Sequence, residues 1–191
     1  MDIAFAFDSS SNVEPGTFQE MKTLSTQIVQ SFRVSSSNAR FASLTFSNQA
    51  AVDFGFNQYD NVNDVIQAIQ RIGHQQRQVN LESAFEIIKK DLFSLHSGIR
   101  TARPKILVFF YGGSVVMAEN KVREMVAPLE KYGVKIVVIG MVGANGGGAE
   151  QQFKRSQLNL IAQSPSTVFV GTSDELKTEL YLIGSEISRG S

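Results

Sequence analysis

The sequence predicts an α/β fold: a doubly wound, mostly parallel six-stranded sheet with one antiparallel edge strand and helices on both faces. Three observations predict it. Short apolar runs of strand character alternate with longer segments whose apolar residues recur at helical spacing. The run Lys105 to Tyr111 is apolar at every position after its first, as a central parallel strand covered on both faces must be. Two strand-like runs, Arg40 to Phe46 and Ala50 to Phe54, are separated only by Ser47-Asn48-Gln49, which is too short for a crossover and right for a hairpin.

Taken in order, residues 2–7 form a buried strand that stops at Asp8, and Ser9 to Asn12 form a polar loop. Pro15 suits the first turn of a helix, where its missing N–H has no partner to lose. Met21, Leu24, Ile28, Val29 and Phe32 give that helix its apolar face. The hairpin follows, then a helical stripe at Val62, Val65, Ile66 and Ile69 that ends near Gly73, and another at Leu81, Phe85, Ile88 and Leu92. After the central strand come a helix over Lys121–Lys131 with Gly133 as its stop, and a strand over Val134–Ile139. A helix over Ala149–Ala162 and a strand over Thr167–Val170 come next. The last helix spans Ser173–Ile187, with Ser173 as its N-cap. No repeat of solenoid length breaks the pattern. Residues 2–188 read as one domain and 189–191 as a linker or tail.

Composition narrows the function. The 191 residues carry 18 Lys+Arg against 18 Asp+Glu, whereas a general nucleic-acid binder needs an excess of cations. The absence of Cys removes disulfide scaffolds, zinc fingers and thiol catalysis, and two His leave no His-rich metal site. No apolar stretch approaches the roughly 20 residues that span a bilayer, so membrane insertion is not expected.

In open α/β sheets, ligands bind beyond the carboxyl ends of the strands, where strand order reverses. The loops there are 8–12, 75–81, 111–116 and 144–148. The first carries Asp8, Ser9, Ser10 and Ser11 in succession. A carboxylate with hydroxyls is oxygen-ligand chemistry, suited to Mg²⁺, Mn²⁺ or Ca²⁺. The same residues also make an ordinary turn that bonds its own backbone and caps the next helix.

The segment Asp2-Ile3-Ala4-Phe5-Ala6-Phe7-Asp8-Ser9-Ser10-Ser11-Asn12 resembles the first strand and Asp-x-Ser-x-Ser loop of a von Willebrand factor A domain. That family includes integrin I domains and the A-type domains of matrix proteins, and its fold is Rossmann-like. Arg40 to Ser47 is similar to its Arg-x-Gly-x-x-x-Phe-Ser strand, Pro104 to Ser114 to the strand ending in Thr-Asp-Gly-x-Ser, and Gly133 to Gly140 to its Gly-Val-x-Ile-x-x-Ile-Gly strand. The resemblance runs in order over residues 2–187.

The resemblance implies a metal-ion-dependent adhesion site, in which an open metal position takes a carboxylate from a partner protein. Asp8 and Ser10 match its ligands, and Asn12 stands where a second Ser is usual. Val79 falls on the Thr position and Tyr111 on the second Asp position; Val offers no oxygen, and a neutral phenol is a poor ligand. The site is therefore expected to be degenerate, with no tightly bound metal and at most a millimolar hold on Mg²⁺, Ca²⁺ or Mn²⁺ at Asp8. Asp8 is then expected to be held by backbone N–H groups or by the Tyr111 hydroxyl. Ser9, Ser11, Asn80, Gly113 and Ser114 form the expected binding rim.

The function implied is a non-enzymatic adhesion module of an extracellular matrix or cell-surface protein, with collagen or another matrix component as partner, within a larger multidomain chain. The alternatives are an intracellular A-type scaffold domain and an α/β enzyme using Asp8. Without a functional metal site the last helix, which slides in metal-switched members, is expected to hold one position. Arg100, Arg103 and Lys105 read as a solvated basic loop, His74 as a surface residue, Gly146-Gly147-Gly148 as a plain loop without P-loop chemistry, and Phe54 and Phe56 as partly exposed.

Overall fold

The computed structural model describes residues 1–113, 117–143, 146–162 and 164–189. Six strands form one sheet: β1 (Asp2–Asp8), β2 (Arg40–Phe46), β3 (Ala50–Phe54), β4 (Lys105–Tyr111), β5 (Val134–Met141) and β6 (Val168–Gly171). Their spatial order is β3-β2-β1-β4-β5-β6. Every pairing is parallel except β2 with β3, the antiparallel edge pair. The predicted architecture is the observed one.

Helices α1 (Pro15–Gln30), α2 (Val62–Gln70), α6 (Ser173–Thr178) and α7 (Leu180–Ser188) cover one face of the sheet. On the other lie α3 (Leu81–Ile87), α4 (Glu119–Lys131) and α5 (Gly148–Ala162). The alternation along the central strands feeds both layers. Ile106, Val108 and Phe110 of β4 join Phe5, Phe7 and Phe41 on the α1 side. Leu107, Phe109 and Tyr111 join Phe46 and Phe85 on the α4 side. Rings stack across strands on both faces, with Phe7 and Phe110 at 5.1 Å and Phe46 and Phe109 also at 5.1 Å between centroids. Such pairs add to the apolar burial that holds the layers.

Several local expectations are corrected. Phe54 and Phe56 are buried, Phe54 edge-on to Tyr59 and Phe56 against Phe93. The helix from Leu81 continues as one π turn over Ile88–Leu92. The final helix is two, parted at Glu179. Its cap is Thr172, not Ser173: the Thr172 hydroxyl accepts from the Glu175 N–H while the Glu175 carboxylate accepts from the Thr172 N–H. That capping box is written in Thr172-Ser173-Asp174-Glu175. Ser173 instead donates its hydroxyl to Glu20 of α1 at 2.5 Å.

Of the basic residues in that loop only Arg103 is solvated. Arg100 reaches buried Asp2, and Lys105 is itself buried, donating to the Thr101 and Arg103 carbonyls and lying over the Tyr132 ring.

Gly140 lets α5 lie close to the sheet. A Cβ there would stand 2.4 Å from Leu158 Cδ1 and 3.1 Å from Val170 Cγ2. Both neighbours are buried, so Gly140→Ala is expected to lower stability by about 1–3 kcal/mol. The urea-denaturation midpoint checks it; an unchanged midpoint would show that α5 can move aside without cost.

Candidate binding site at the ends of β1 and β4

β1 pairs with β2 on one side and with β4 on the other, so strand order reverses between β1 and β4. The crevice of an open α/β sheet lies beyond the ends of those two strands. Asp8 closes β1 and Tyr111 closes β4.

Asp8 is fully buried. Its Oδ1 accepts from the Ser10 N–H at 3.0 Å, and its Oδ2 accepts from the Gly112 and Gly113 N–H groups, each at 3.2 Å. The donors that the structure gives Asp8 are thus main-chain amides of its own loop and of the loop after β4. The Tyr111 ring is buried and stacks on Phe109 and Phe46. Burial, and then the nearby Asp8 charge, push its pKa well above the usual phenol value, so it stays neutral.

The loop after β1 is tied to residues 74–77. The Ser9 N–H donates to the Phe46 carbonyl, and the Ser9 hydroxyl accepts from the Gln75 N–H at 2.6 Å. The Gln76 N–H donates to the Ser9 carbonyl, and the Ser11 N–H to the Arg77 carbonyl. Gln76 takes a left-handed backbone, φ 57°, to make this turn. His74 is half-buried, stacked on Phe18 at 4.7 Å with its Nε2 3.2 Å from the Ser10 carbonyl, rather than a bare surface residue.

The rim expectation changes accordingly. Ser9 and Gly113 are buried, one with its hydroxyl engaged and the other with its N–H engaged, so neither can present those groups to a partner. Ser11, Asn12 and Asn80 are exposed. Ser114 lies outside the described residues. Asn80 also has a local duty, accepting from the Ser83 N–H as the cap of α3.

Asn12, Val79 and Tyr111, three of the five positions matched to the metal site, line one cleft of about 440 Å³ together with Asn48, Gln78, Asn80 and the carboxylate-bearing Glu82. Asp8 and Ser10 are buried and are not among its lining residues. The Ser10 hydroxyl is buried without a hydrogen-bond partner among the described residues. Among the described residues no group of three or more His, Cys, Asp or Glu side chains is placed to hold a metal ion.

Sequence reading missed Lys154 of α5. It is buried on the helix face that carries Leu158, Ile161 and Ala162. Its Nζ donates to the Gly112 carbonyl at 2.7 Å and to the Met141 carbonyl at 2.6 Å. Burial lowers its pKa, and the charges of Glu150 and Asp8 act in the opposite direction. A signal was present: Lys154, Leu158 and Ile161 fall at i, i+4 and i+7, which puts the lysine on the apolar stripe.

Fold and crevice define the class: a doubly wound α/β domain with a candidate site at the sheet's switch point. The chain belongs to the von Willebrand factor type A domain family, whose sequence profile matches residues 2–181. Among its relatives, it is 28% identical over 177 residues to the collagen alpha-5(VI) chain of Mus musculus, covering 92% of this chain and 6% of that protein. It is 23% identical over 144 residues to matrilin-1 of Gallus gallus, covering 75% of this chain and 29% of that one. The chain therefore spans less than a third of those relatives. Among solved structures, it is similar to proximal thread matrix protein 1 from the mussel byssus with a zinc-occupied MIDAS motif, at TM-score 0.80 and 27% identity, covering 97% of this chain and 45% of that one. These relatives are matrix proteins. No helix among the described residues is long and apolar enough to cross a membrane.

Proposed function

We propose that residues 2–188 form one protein-adhesion domain of an extracellular matrix or cell-surface protein, and that it binds its partner, collagen or another matrix component, without a tightly held metal. The ligand-bearing positions carry this reading. A divalent cation sheds costly hydration only where formal negative charge offsets the loss. Of the five positions matched to the metal site Asp8 alone supplies it, and its two oxygens already accept three N–H bonds, while the one carboxylate lining the cleft itself, Glu82, lies outside those positions. Val79 contributes no oxygen, and Tyr111 stays a neutral phenol. Contacts to the partner then fall on Asn12 and Asn80 of the cleft and on exposed Ser11 beside Asn12. The last helices hold one position, because no metal engagement drives them to another.

The unpartnered Ser10 hydroxyl favours a second reading, in which a divalent ion is held at millimolar strength by Asp8, Ser10 and Asn12. A binding screen against matrix proteins, run with chelator, with Mg²⁺ and with Zn²⁺, separates the two. Zn²⁺ is included because a relative's structure holds it. The expected result is an affinity for at least one matrix protein that is the same in all three conditions. Binding abolished by the chelator overturns metal independence, and no binding to any matrix protein overturns the adhesion reading.

A further inference from the structure

We propose that Lys154 is a built-in positive charge for Asp8, coupled to it through the single peptide group between Gly112 and Gly113. Two hydrogen bonds carry the inference. The Gly112 carbonyl accepts from Lys154 Nζ at 2.7 Å. The Gly113 N–H, on the same peptide group, donates to Asp8 Oδ2 at 3.2 Å. The chain of groups is therefore ammonium, carbonyl, amide N–H and carboxylate, in line through one planar and polarisable unit. A cation on the carbonyl draws charge toward oxygen and makes the N–H a stronger donor to the anion.

Both ends of this relay are buried: Asp8 fully, Lys154 to within 8% of its surface. A buried charge without compensation is costly, and here each compensates the other without direct contact. The second Lys154 bond, to the Met141 carbonyl, ties the end of β5 to the same ammonium. Lys154 thus fixes the loop after β4 to the end of β5, while the loop's own N–H groups hold it to Asp8 at the end of β1. Gly112 is seated there too, since a Cβ on it would stand 2.6 Å from Val13 Cγ2. Lys154 is a positioning residue: it reaches no partner and acts through the Gly112–Gly113 peptide. That it takes an ion's place rests on the metal-independent reading; its coupling to Asp8 does not.

The test is a double-mutant cycle of Asp8→Asn and Lys154→Gln, measured by denaturation in chelator. Lys154→Gln keeps an N–H donor and removes the charge. The folding constants are expected to be non-additive by a factor of about ten, the double variant losing less than the two single losses combined. Additivity within about a factor of two overturns the coupling. The Gly113 amide proton supplies a readout that general destabilisation does not give: Lys154→Gln moves it upfield although residue 154 does not touch that N–H, and an unmoved resonance also overturns the coupling. Should Lys154→Gln fail to fold, Lys154→Arg takes its place in the resonance test, with the Gly113 proton expected to stay downfield and an upfield move counting against the relay. Mn²⁺ titration completes the set. Lys154→Gln is expected to bind Mn²⁺ about tenfold more tightly than the unaltered chain, and equal affinities overturn the ion-substitute role. Tight Mn²⁺ binding by the unaltered chain would instead overturn the metal-independent reading and leave the result of the cycle standing.

Discussion

Replacing Arg100 by alanine destabilises the domain by about 3–5 kcal/mol, the cost of stranding a buried charge. Asp2 opens the central strand β1 with its side chain fully buried. Its Oδ1 accepts from Arg100 Nε at 2.8 Å and Nη2 at 2.5 Å, and its Oδ2 accepts from the Arg100 N–H at 2.7 Å. The same guanidinium donates to the carbonyls of Met1, Ser36 and Asn38. It therefore holds the start of β1 to the segment before β2 as well as to its own loop. Lysine in its place keeps the charge but not the fork, so Arg100→Lys is expected to recover only part of the loss. By contrast, Arg123 and Glu119 pair on the exposed face of α4, and Arg123→Ala should change stability by no more than about 0.5 kcal/mol. Urea denaturation of the three variants checks the order. A loss below about 1 kcal/mol for Arg100→Ala would mean that water reaches Asp2 once the guanidinium is gone.

Arg100 also shows where sequence reading stops. The strands and most helices were legible because periodicity is local: β4 reads as a core strand from its seven residues alone. The hairpin, and with it the antiparallel edge, follow from three turn residues. Burial of a charge is different, because it depends on a partner far along the chain. Arg100 and Asp2 are 98 positions apart, so the basic loop looked like a solvated one. Lys154 was overlooked for a related reason. A single lysine on an apolar stripe is ambiguous until the carbonyls it meets are known, and those belong to residues 112 and 141. The division of the last helix at Glu179 has no local mark, since Leu176, Leu180, Ile183 and Ile187 continue one stripe across it. The Thr172 cap is the opposite case: Thr-x-x-Glu was there to be read. At the candidate site, the resemblance matched Asp8 and Tyr111 to two ligand positions of one metal site, and the structure sets them at the ends of the paired strands β1 and β4. Which rim hydroxyls were free required the hydrogen bonds of the 74–77 segment.

Restoring the missing oxygens tests the candidate site most severely. Tyr111→Asp combined with Val79→Thr is expected to cost about 3–5 kcal/mol in the absence of metal. The Tyr111 ring stacks with Phe109 and Phe46 in the core, and its loss leaves a cavity. The new carboxylate also faces buried Asp8, and two like charges in one site oppose each other's ionisation. Yet that arrangement, two carboxylates with the hydroxyls of Ser10 and residue 79 and the amide of Asn12, is a hard-cation ligand set. A divalent ion added at about a hundredfold over its dissociation constant then returns about 2.7 kcal/mol. For a domain of this length that corresponds to a rise of roughly 5–10 °C in Tm. The unaltered chain, with one carboxylate already bonded to three amides and a buried ammonium beyond the Gly112–Gly113 peptide, gives the ion little to gain. Its Tm is expected to stay flat as Mn²⁺ is raised, while that of the double variant climbs. An unaltered chain whose Tm rises as steeply as the variant's would show that Asp8, Ser10 and Asn12 suffice to hold the ion, and that the domain works with metal after all.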